Sequence, residues 1–217
     1  LLERPEMVML YRDLGVRQIH FAYNRNNSVA GGCHDRPQGL TTLGRRMVDA
    51  MNDAGVLMDC SHTERRTTLD IMAHSRQPVI FSHANPLGLV EHGRNISDEQ
   101  IRACAATGGV VCISGVSRFL GTDAPGAADI ARHMTHVADL VGPQHVGLGL
   151  DIGFGEPGLD DDPPAPFDPG HWWPVSEGYG SGIRHMRYAP VETWQSLPEA
   201  LRKVGMGEAE IAALFGS

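Results

Sequence analysis

Two apolar runs in this chain are each followed by the dipeptide Ser-His. The run over residues 56–60 leads to His62, and the run over residues 78–81 leads to His83. Residues 63–74 between them have the pattern of one helix, so a strand, a helix and a second strand follow in order. Imidazole is the commonest side-chain metal ligand, and parallel α/β sheets place their active sites at this end of the strands. The pair predicts a shared metal site in a metal-dependent hydrolase, whereas one such histidine alone would more often be structural.

Two further strand ends carry residues of the same kind. The predicted strand over residues 17–21 contains His20, and the one over residues 146–150 runs into Asp151. A carboxylate at this position can be a metal ligand or a general base toward a bound water. Each residue also has an ordinary interpretation: His20 as a core polar group bonded to a carbonyl, and Asp151 as the cap of the following turn.

Arg94 follows His83 by eleven residues, in the loop that leaves the same strand end. A guanidinium matches a carboxylate with two parallel hydrogen bonds, so Arg94 is a candidate for binding an acidic group of the substrate. Its ordinary interpretation is a solvated cation. Trp172 and Trp173 either cover the mouth of the pocket or anchor a long loop. We expect most of the other histidines to lie at the surface: His34, His74, His92, His133, His136, His145, His171 and His185.

The elements that must position these residues alternate along the chain. Helices are predicted between the strands, with Thr41 or Thr42, Gly55, Ser97 and Gln100 as end signals. Residues 153–182 form a turn-rich segment too long for a plain connector, which is typical of a lid or binding loop. The predicted strands span residues 17–21, 56–60, 79–81, 110–113 and 146–150.

Alternating strands and helices with nearly continuous apolar strands predict an α/β fold with a parallel sheet. An open doubly wound sheet and the greater part of an eightfold barrel both fit this order, but no Gly-x-Gly-x-x-Gly turn follows any strand. No internal boundary divides residues 1–217, which we interpret as one catalytic barrel domain.

Composition narrows the partners. The chain has 217 residues and a net charge of −8, which disfavours nucleic acid because no basic stripe is present. No apolar run reaches the roughly 18 residues of a membrane span, and no signal-peptide pattern is present. Four cysteines without Cys-x-x-Cys spacing suggest free thiols and a cytoplasmic location. The first and last residues suggest that the sequence is cut at both ends.

Several of these segments together resemble the membrane (renal) dipeptidase family, whose members are binuclear zinc peptidases with amidohydrolase-like barrels. The resemblance covers nearly the whole chain and is greatest to bacterial members, which are soluble. It implies a (β/α)8 TIM-type barrel of which the visible strands are the fourth to the eighth. The matching segments are residues 14–20, 39–41, 55–62, 78–83, 94–96 and 147–151.

The resemblance also implies roles. His62 and His83 correspond to the ligands of the second zinc, and His20 to the histidine that stabilises the tetrahedral intermediate. Arg94 corresponds to the arginine that holds the substrate carboxylate, and Asp151 to the acid that transfers the proton. The implied function is hydrolysis of dipeptides by a metal-activated water, with two Zn²⁺ in an intact site. The sequence leaves open whether the protein forms a homodimer.

One departure from the family is large. The His-x-Asp pair of the first zinc and the bridging glutamate are absent, and Glu3 lies after the place where that glutamate should stand. We interpret this as a missing N-terminal part, so the chain alone is expected to be inactive. Two alternatives stay open: a barrel amidohydrolase acting on another amide or a lactone, and a non-catalytic fragment that lacks the first metal site.

Overall fold

The computed structural model of the chain describes residues 3–152, 168–179 and 186–216. Its five strands lie where the sequence predicts them, and each is shorter than the corresponding apolar run because ladder pairing ends before the run does. The strands are β1 (Gln18–His20), β2 (Leu57–Asp59), β3 (Val79–Ile80), β4 (Val111–Ile113) and β5 (Val146–Leu148).

All of the strand pairs are parallel, and neighbours in the chain are neighbours in the sheet. β1, β2 and β3 pair in that order, with Asp59 opposite Ile80. β4 pairs with β5, and one parallel bridge from Phe81 to Val111 connects the two groups. Because all strands run the same way, their carboxyl ends share one edge. This chain-following order is the one that a barrel wall requires, whereas a doubly wound sheet reverses its order at a switch point.

Helices connect the strands, and their ends follow the predicted signals. Thr41 Oγ1 accepts from the Gly44 backbone N–H at 3.0 Å, and Gly55 closes the same helix with φ of +64°. Ser97 and Gln100 form a capping box. The helices are α1 (Met7–Asp13), α2 (Thr42–Ala54), α3 (Arg65–His74), α4 (Asp98–Ala106), α5 (Ser117–Leu120), α6 (Ala127–Val141), α7 (Pro169–Trp172), α8 (Thr193–Lys203) and α9 (Glu208–Leu214), with 3₁₀ turns at Pro143–His145 and Val175–Glu177.

The core lies between the strands and these helices. Met58, Val79, Phe81 and Ile113 are fully buried, and burying an apolar side chain of this size stabilises the fold by roughly 1.5–3 kcal/mol. All four cysteines are free thiols. In the described ranges, no helix combines the length and hydropathy needed to cross a membrane.

The expectation that most remaining histidines lie at the surface is wrong for the described ones: two are buried, only His171 is exposed, and His74, His92, His136 and His145 are half-buried. His185 lies outside the described residues. His133 is fully buried on α6, and His34 is 8% exposed in the loop after β1. His133 lies on the helix face turned to the core, beside Met134 and Val137 in the buried set. His34 is buried because Tyr179, from a distant part of the chain, packs against it with ring centroids 5.3 Å apart. The predicted long loop lies largely outside the described residues, except for residues 168–179.

Candidate active site

His62 and His83 meet at the carboxyl edge of the sheet. Each lies three positions beyond the last residue of its strand, β2 or β3. Their rings are 4.8 Å apart between centroids at an interplanar angle of 63°, and the two Nε2 atoms are 2.8 Å apart. The two βα units therefore deliver both imidazoles to one point, as their matching positions predict.

The outer nitrogen of His62 has an acceptor. Its Nδ1 lies 2.7 Å from Oδ1 of Asn24, while Nδ2 of Asn24 donates to the carbonyl oxygen of Trp172 at 2.8 Å. Because that second bond identifies the amide nitrogen, Oδ1 must be the atom facing His62, and it can only accept. The His62 proton therefore sits on Nδ1, which leaves a lone pair on Nε2.

His83 is held in the same tautomer by a relay through Ser82. Nδ1 of His83 is 2.7 Å from Ser82 Oγ, and that hydroxyl donates to the carboxylate of Asp59. Since a hydroxyl has one proton and the carboxylate only accepts, Nδ1 of His83 must be the donor. Its Nε2 then also carries a lone pair.

Two lone pairs facing each other at 2.8 Å repel unless a cation lies between or beside them. This donor set fits a divalent metal such as zinc, which prefers imidazole nitrogen and whose ligating histidines donate their other N–H to an acceptor. Among the described residues, no group of three or more His, Cys, Asp or Glu side chains could complete such a site. The described residues thus provide two candidate ligands, His62 and His83.

Burial keeps both imidazoles neutral. It lowers the pKa of His83 to about 4, with the Arg94 cation acting in the same direction and Asp59 opposing it. The same two causes, burial first, place the pKa of His62 far below the usual value. A neutral imidazole is the form that ligates a metal, so the surroundings favour the ligating state.

Arg94 lies beside this pair. It is 4% exposed, Nη2 donates to the carbonyl oxygen of His83 at 3.2 Å, and the guanidinium lies 5.4 Å from the Phe119 ring centroid. The ion pairs of the described residues give Arg94 no carboxylate partner. Arg94 borders a cavity of about 80 Å³ together with His62 and Asp151. A buried cation facing a cavity favours binding of an anion there.

Asp151 faces the same cavity from the end of β5. Although Asp151 is exposed, the protein atoms around its carboxyl raise its pKa, and the attraction of Arg94 only partly offsets this. Its φ of +63° is in the left-handed region, as are those of His62 (+65°) and Asn24 (+59°). Backbone strain of this kind concentrates at functional sites, because it aims side chains that regular structure would not.

His20 lies apart from that cavity. It is exposed at the end of β1, and its ring centroid is 5.8 Å from that of His62. It borders a different hollow, together with Gln18, Ile19 and Asp59. The structure thus brings His62, His83, Arg94 and Asp151 together and leaves His20 at the periphery.

Sequence reasoning missed several residues at this site. Asp59 accepts hydrogen bonds from Ser61 N at 2.9 Å and Ser82 N at 3.1 Å. Hydrogen bonds from Ser82 and Ser61 outweigh its burial, so its pKa is lowered. Asp59 could have been identified from the sequence, because it is a lone acidic residue inside an apolar strand. Asn24 could not have been identified in this way, because its partners His62 and Trp172 are distant in the chain.

The aromatic residues over the site come from two distant segments. Tyr23 stacks on His62 with centroids 4.1 Å apart, and Trp172 and Trp173 meet Tyr23 edge-on at 5.8 and 5.9 Å. Trp173 also borders the cavity. Of the two interpretations offered for the tryptophans, covering the pocket agrees with these contacts.

Comparisons with known proteins identify the family of the chain. The model of the membrane dipeptidase family (peptidase family M19) matches residues 1–163. An uncharacterized dipeptidase of Schizosaccharomyces pombe is 37% identical over 164 residues, which are 70% of this chain and 39% of that protein. The dipeptidase verJ of Clonostachys rogersoniana is 36% identical over 158 residues, covering 70% and 40%. The matches span about two fifths of the length of these curated relatives.

Solved structures give the fold. An amidohydrolase from Pseudomonas aeruginosa superposes with a TM-score of 0.81 at 28% identity, covering 99% of this chain and 66% of that one. A metallo peptidase from Rhodobacter sphaeroides, solved with a phosphinate mimic of the dipeptide L-Ala-D-Ala, has a TM-score of 0.74 at 23% identity, covering 98% and 56%. These neighbours have TIM-barrel folds of the amidohydrolase and dipeptidase type, and the chain shares their mixed α/β architecture.

Proposed function

We propose a function from one premise: the chain belongs to the membrane dipeptidase family, peptidase family M19. The family and its metallopeptidase neighbours support metal-dependent hydrolysis of dipeptides in general. On this premise the chain supplies strands four to eight of a (β/α)8 barrel and one side of the active site of a zinc-dependent dipeptidase. The other ligands, a His-x-Asp pair and a bridging glutamate, would come from a part of the protein that precedes residue 1.

One observation carries the proposal: the facing Nε2 atoms of His62 and His83, 2.8 Å apart, with both outer nitrogens used as donors. In this tautomer both Nε2 atoms have a lone pair available, so the two imidazoles could bind one metal cation together. Zinc is the metal we propose, because one amidohydrolase that resembles the chain was solved with bound zinc.

The residues around the pair would each act on the substrate. Arg94 would hold its terminal carboxylate, since the buried guanidinium faces the cavity without a carboxylate partner of its own among the described ion pairs. Bound zinc would supply Lewis acidity and a water activated at neutral pH. Asp151, with its raised pKa, would accept a proton from the attacking water and deliver it to the leaving amine. By the resemblance, His20 would donate a hydrogen bond to the developing oxyanion from the rim of the site, where its ring centroid lies 5.8 Å from that of His62.

The partner of this site would be a small dipeptide with a free carboxylate. We propose a cytoplasmic location for the assembled enzyme, as expected from the cysteine content.

A substrate panel tests the activity. The assembled enzyme, carrying the ligands that precede residue 1, should hydrolyse dipeptides in preference to N-acyl amino acids and lactones. Preference for a lactone or another amide would assign it to the barrel amidohydrolases of different specificity. Elemental analysis that finds no zinc in the purified protein would favour a non-catalytic role.

The 217-residue chain gives a second test. Alone it should bind zinc weakly and release no amino acids from dipeptides, because two imidazoles fill half of a tetrahedral site. Turnover by this chain at the rate of the assembled enzyme would show that the remaining ligands lie within residues 1–217.

A further inference from the structure

Three consecutive residues after β1, Tyr23, Asn24 and Arg25, contact a distant segment of the chain, residues 168–173. Two of them, Tyr23 and Asn24, also contact the metal-ligand candidate His62. We call residues 168–173 the roof segment, because Trp173 borders the cavity of Arg94 and Asp151. Tyr23 contacts both sides: it stacks on His62 at 4.1 Å and meets the two roof tryptophans edge-on.

Asn24 uses both ends of its amide, one toward each side. Oδ1 accepts from His62 Nδ1 at 2.7 Å, and Nδ2 donates to the carbonyl oxygen of Trp172 at 2.8 Å. Asn24 is fully buried, and its φ of +59° is a conformation that asparagine tolerates better than most residues. Because the amide is planar, a rotation that moves Nδ2 away from the Trp172 carbonyl also moves Oδ1 away from His62.

Arg25 adds a neighbouring contact. Its Nε donates to the carbonyl oxygen of His171, so consecutive carbonyls of the roof segment accept from consecutive residues of the loop. The guanidinium also bonds Asp35 at 2.8 Å. Within the described residues, no hydrogen bond or ring contact joins Arg25 to His62, and the guanidinium also donates to the carbonyl oxygen of His34 at 3.0 Å.

We propose that Asn24 is a positioning residue that couples docking of the roof segment to the ring orientation and tautomer of His62. The coupling works in both directions, since any change that favours the docked roof must favour the oriented imidazole equally. The proposal rests on the proposed function only for its consequence, that a docked roof strengthens metal binding. Closing the site over a substrate and preparing a metal ligand would then be one event.

Three variants separate the two contacts. Asn24→Asp keeps the acceptor for His62 and removes the donor to the roof, whereas Asn24→Ala removes both. Arg25→Gln weakens the roof contact of Arg25 and keeps both ends of the Asn24 amide, and it also removes the guanidinium's bonds to Asp35 and to the carbonyl oxygen of His34. Arg36→Gln is the matched control, since it removes the same charge from the same loop at an exposed position. All would be made in a Trp194→Phe background, because Trp194 is 52% exposed and would dominate tryptophan fluorescence.

Two measurements report roof docking and the tautomer of His62 separately. Acrylamide quenching of Trp172 and Trp173 reports roof docking, and ¹⁵N shifts of His62, assigned by comparison with His62→Gln, report its tautomer. In the unmodified chain, quenching should be low and His62 should show a protonated Nδ1 and a bare Nε2. Asn24→Asp should raise quenching and keep the Nδ1 proton, and Asn24→Ala should raise quenching and give mixed tautomers.

Arg25→Gln decides the question. Coupling predicts that it raises quenching and also shifts His62 toward a tautomer mixture, while Arg36→Gln changes neither. If quenching rises and the His62 shifts stay those of the unmodified chain, the two sides are independent and the proposal is wrong. If neither Arg25→Gln nor Asn24→Asp raises quenching, these contacts do not hold the roof, which also overturns it.

A zinc titration of the same variants keeps the two proposals distinguishable. Asn24→Ala should weaken zinc binding roughly 10- to 100-fold, the usual effect of losing a partner of a metal ligand. If the unmodified chain does not bind zinc, the proposed metal site fails, whereas the quenching and NMR results still decide the coupling.

Discussion

The histidines at the ends of β1 and of β2 lie on the same edge of the sheet, yet their surroundings differ. His62 is 7% exposed and bonded through Nδ1 to Asn24, whereas His20 is exposed. β2 has a strand on each side, while β1 pairs only with β2 among the described strands. A strand end therefore decides which edge a residue reaches, and its neighbours decide whether it is held in one orientation.

Removing a ligand should give the largest difference between these two positions. His62→Ala or His83→Ala should weaken zinc binding by more than about 100-fold, beyond the loss expected for a partner of a ligand. His20→Ala should leave zinc affinity unchanged, because among the described residues no hydrogen bond joins His20 to His62 or His83, and its ring centroid lies 5.8 Å from that of His62. Calorimetric titration of the three variants checks this. Equal losses for all three would mean that His20 is a ligand as well.

Substitution of Arg94 should give the next largest effect, a decrease in kcat/KM. Losing a hydrogen-bonded ion pair with the substrate costs roughly 1.5–3 kcal/mol, so Arg94→Ala should lower kcat/KM about 10- to 150-fold in the assembled enzyme. Arg94→Lys should be nearly as harmful, because an ammonium cannot form two parallel bonds. Steady-state kinetics on free and amidated dipeptides test this. Equal damage to both substrates would make Arg94 a structural residue.

Lowering the pH should decrease the free energy of unfolding through the buried histidines, whose pKa values are lowered. Burial, assisted by His92 and Arg94, lowers the pKa of His34 to about 3, and burial lowers that of His83 to about 4. The unfolded chain takes up these protons near 6.5, so it binds more protons than the native fold below that pH. Stability is then complete above about 6.5 and falls toward pH 4, by up to ~1.4 kcal/mol per pH unit for each histidine.

Urea unfolding between pH 7 and pH 4 measures that slope, and His34→Gln should make it shallower. A slope unaffected by His34→Gln would show that His34 is protonated in the native protein.

Asp59 should give the smallest effect of the four. Asp59→Asn leaves buried donors imperfectly paired and should lower the free energy of unfolding by about 1–3 kcal/mol at pH 7. The native pKa of Asp59 is lowered, so its contribution is complete above the unfolded value near 3.8 and disappears as the pH falls through the native value. The difference between the two proteins should therefore shrink in acid, as urea unfolding at pH 7 and pH 3 would reveal. A constant difference would mean that the carboxylate charge is not what stabilises the fold.

Much of the fold could be predicted from local patterns. The five strands, the Ser97–Gln100 capping box and the Gly55 helix end depend on residues close in sequence, and the structure has them where the sequence predicts them. The meeting of His62 and His83 was also predictable, because two parallel strands joined by one helix bring equivalent positions together.

Contacts between distant segments could not be predicted from local patterns, because they form only in the tertiary structure. The tautomer of His62 depends on Asn24, 38 positions away, and the roof contact of Asn24 spans 148 positions. The burial of His34 depends on Tyr179. Hydrophobic periodicity records which face of an element is buried, and it carries no information about which polar atom will stand opposite another. Local residue patterns were therefore sufficient to predict the order of the elements and the edge at which the candidate site residues meet, while packing between distant loops determines how those residues are held.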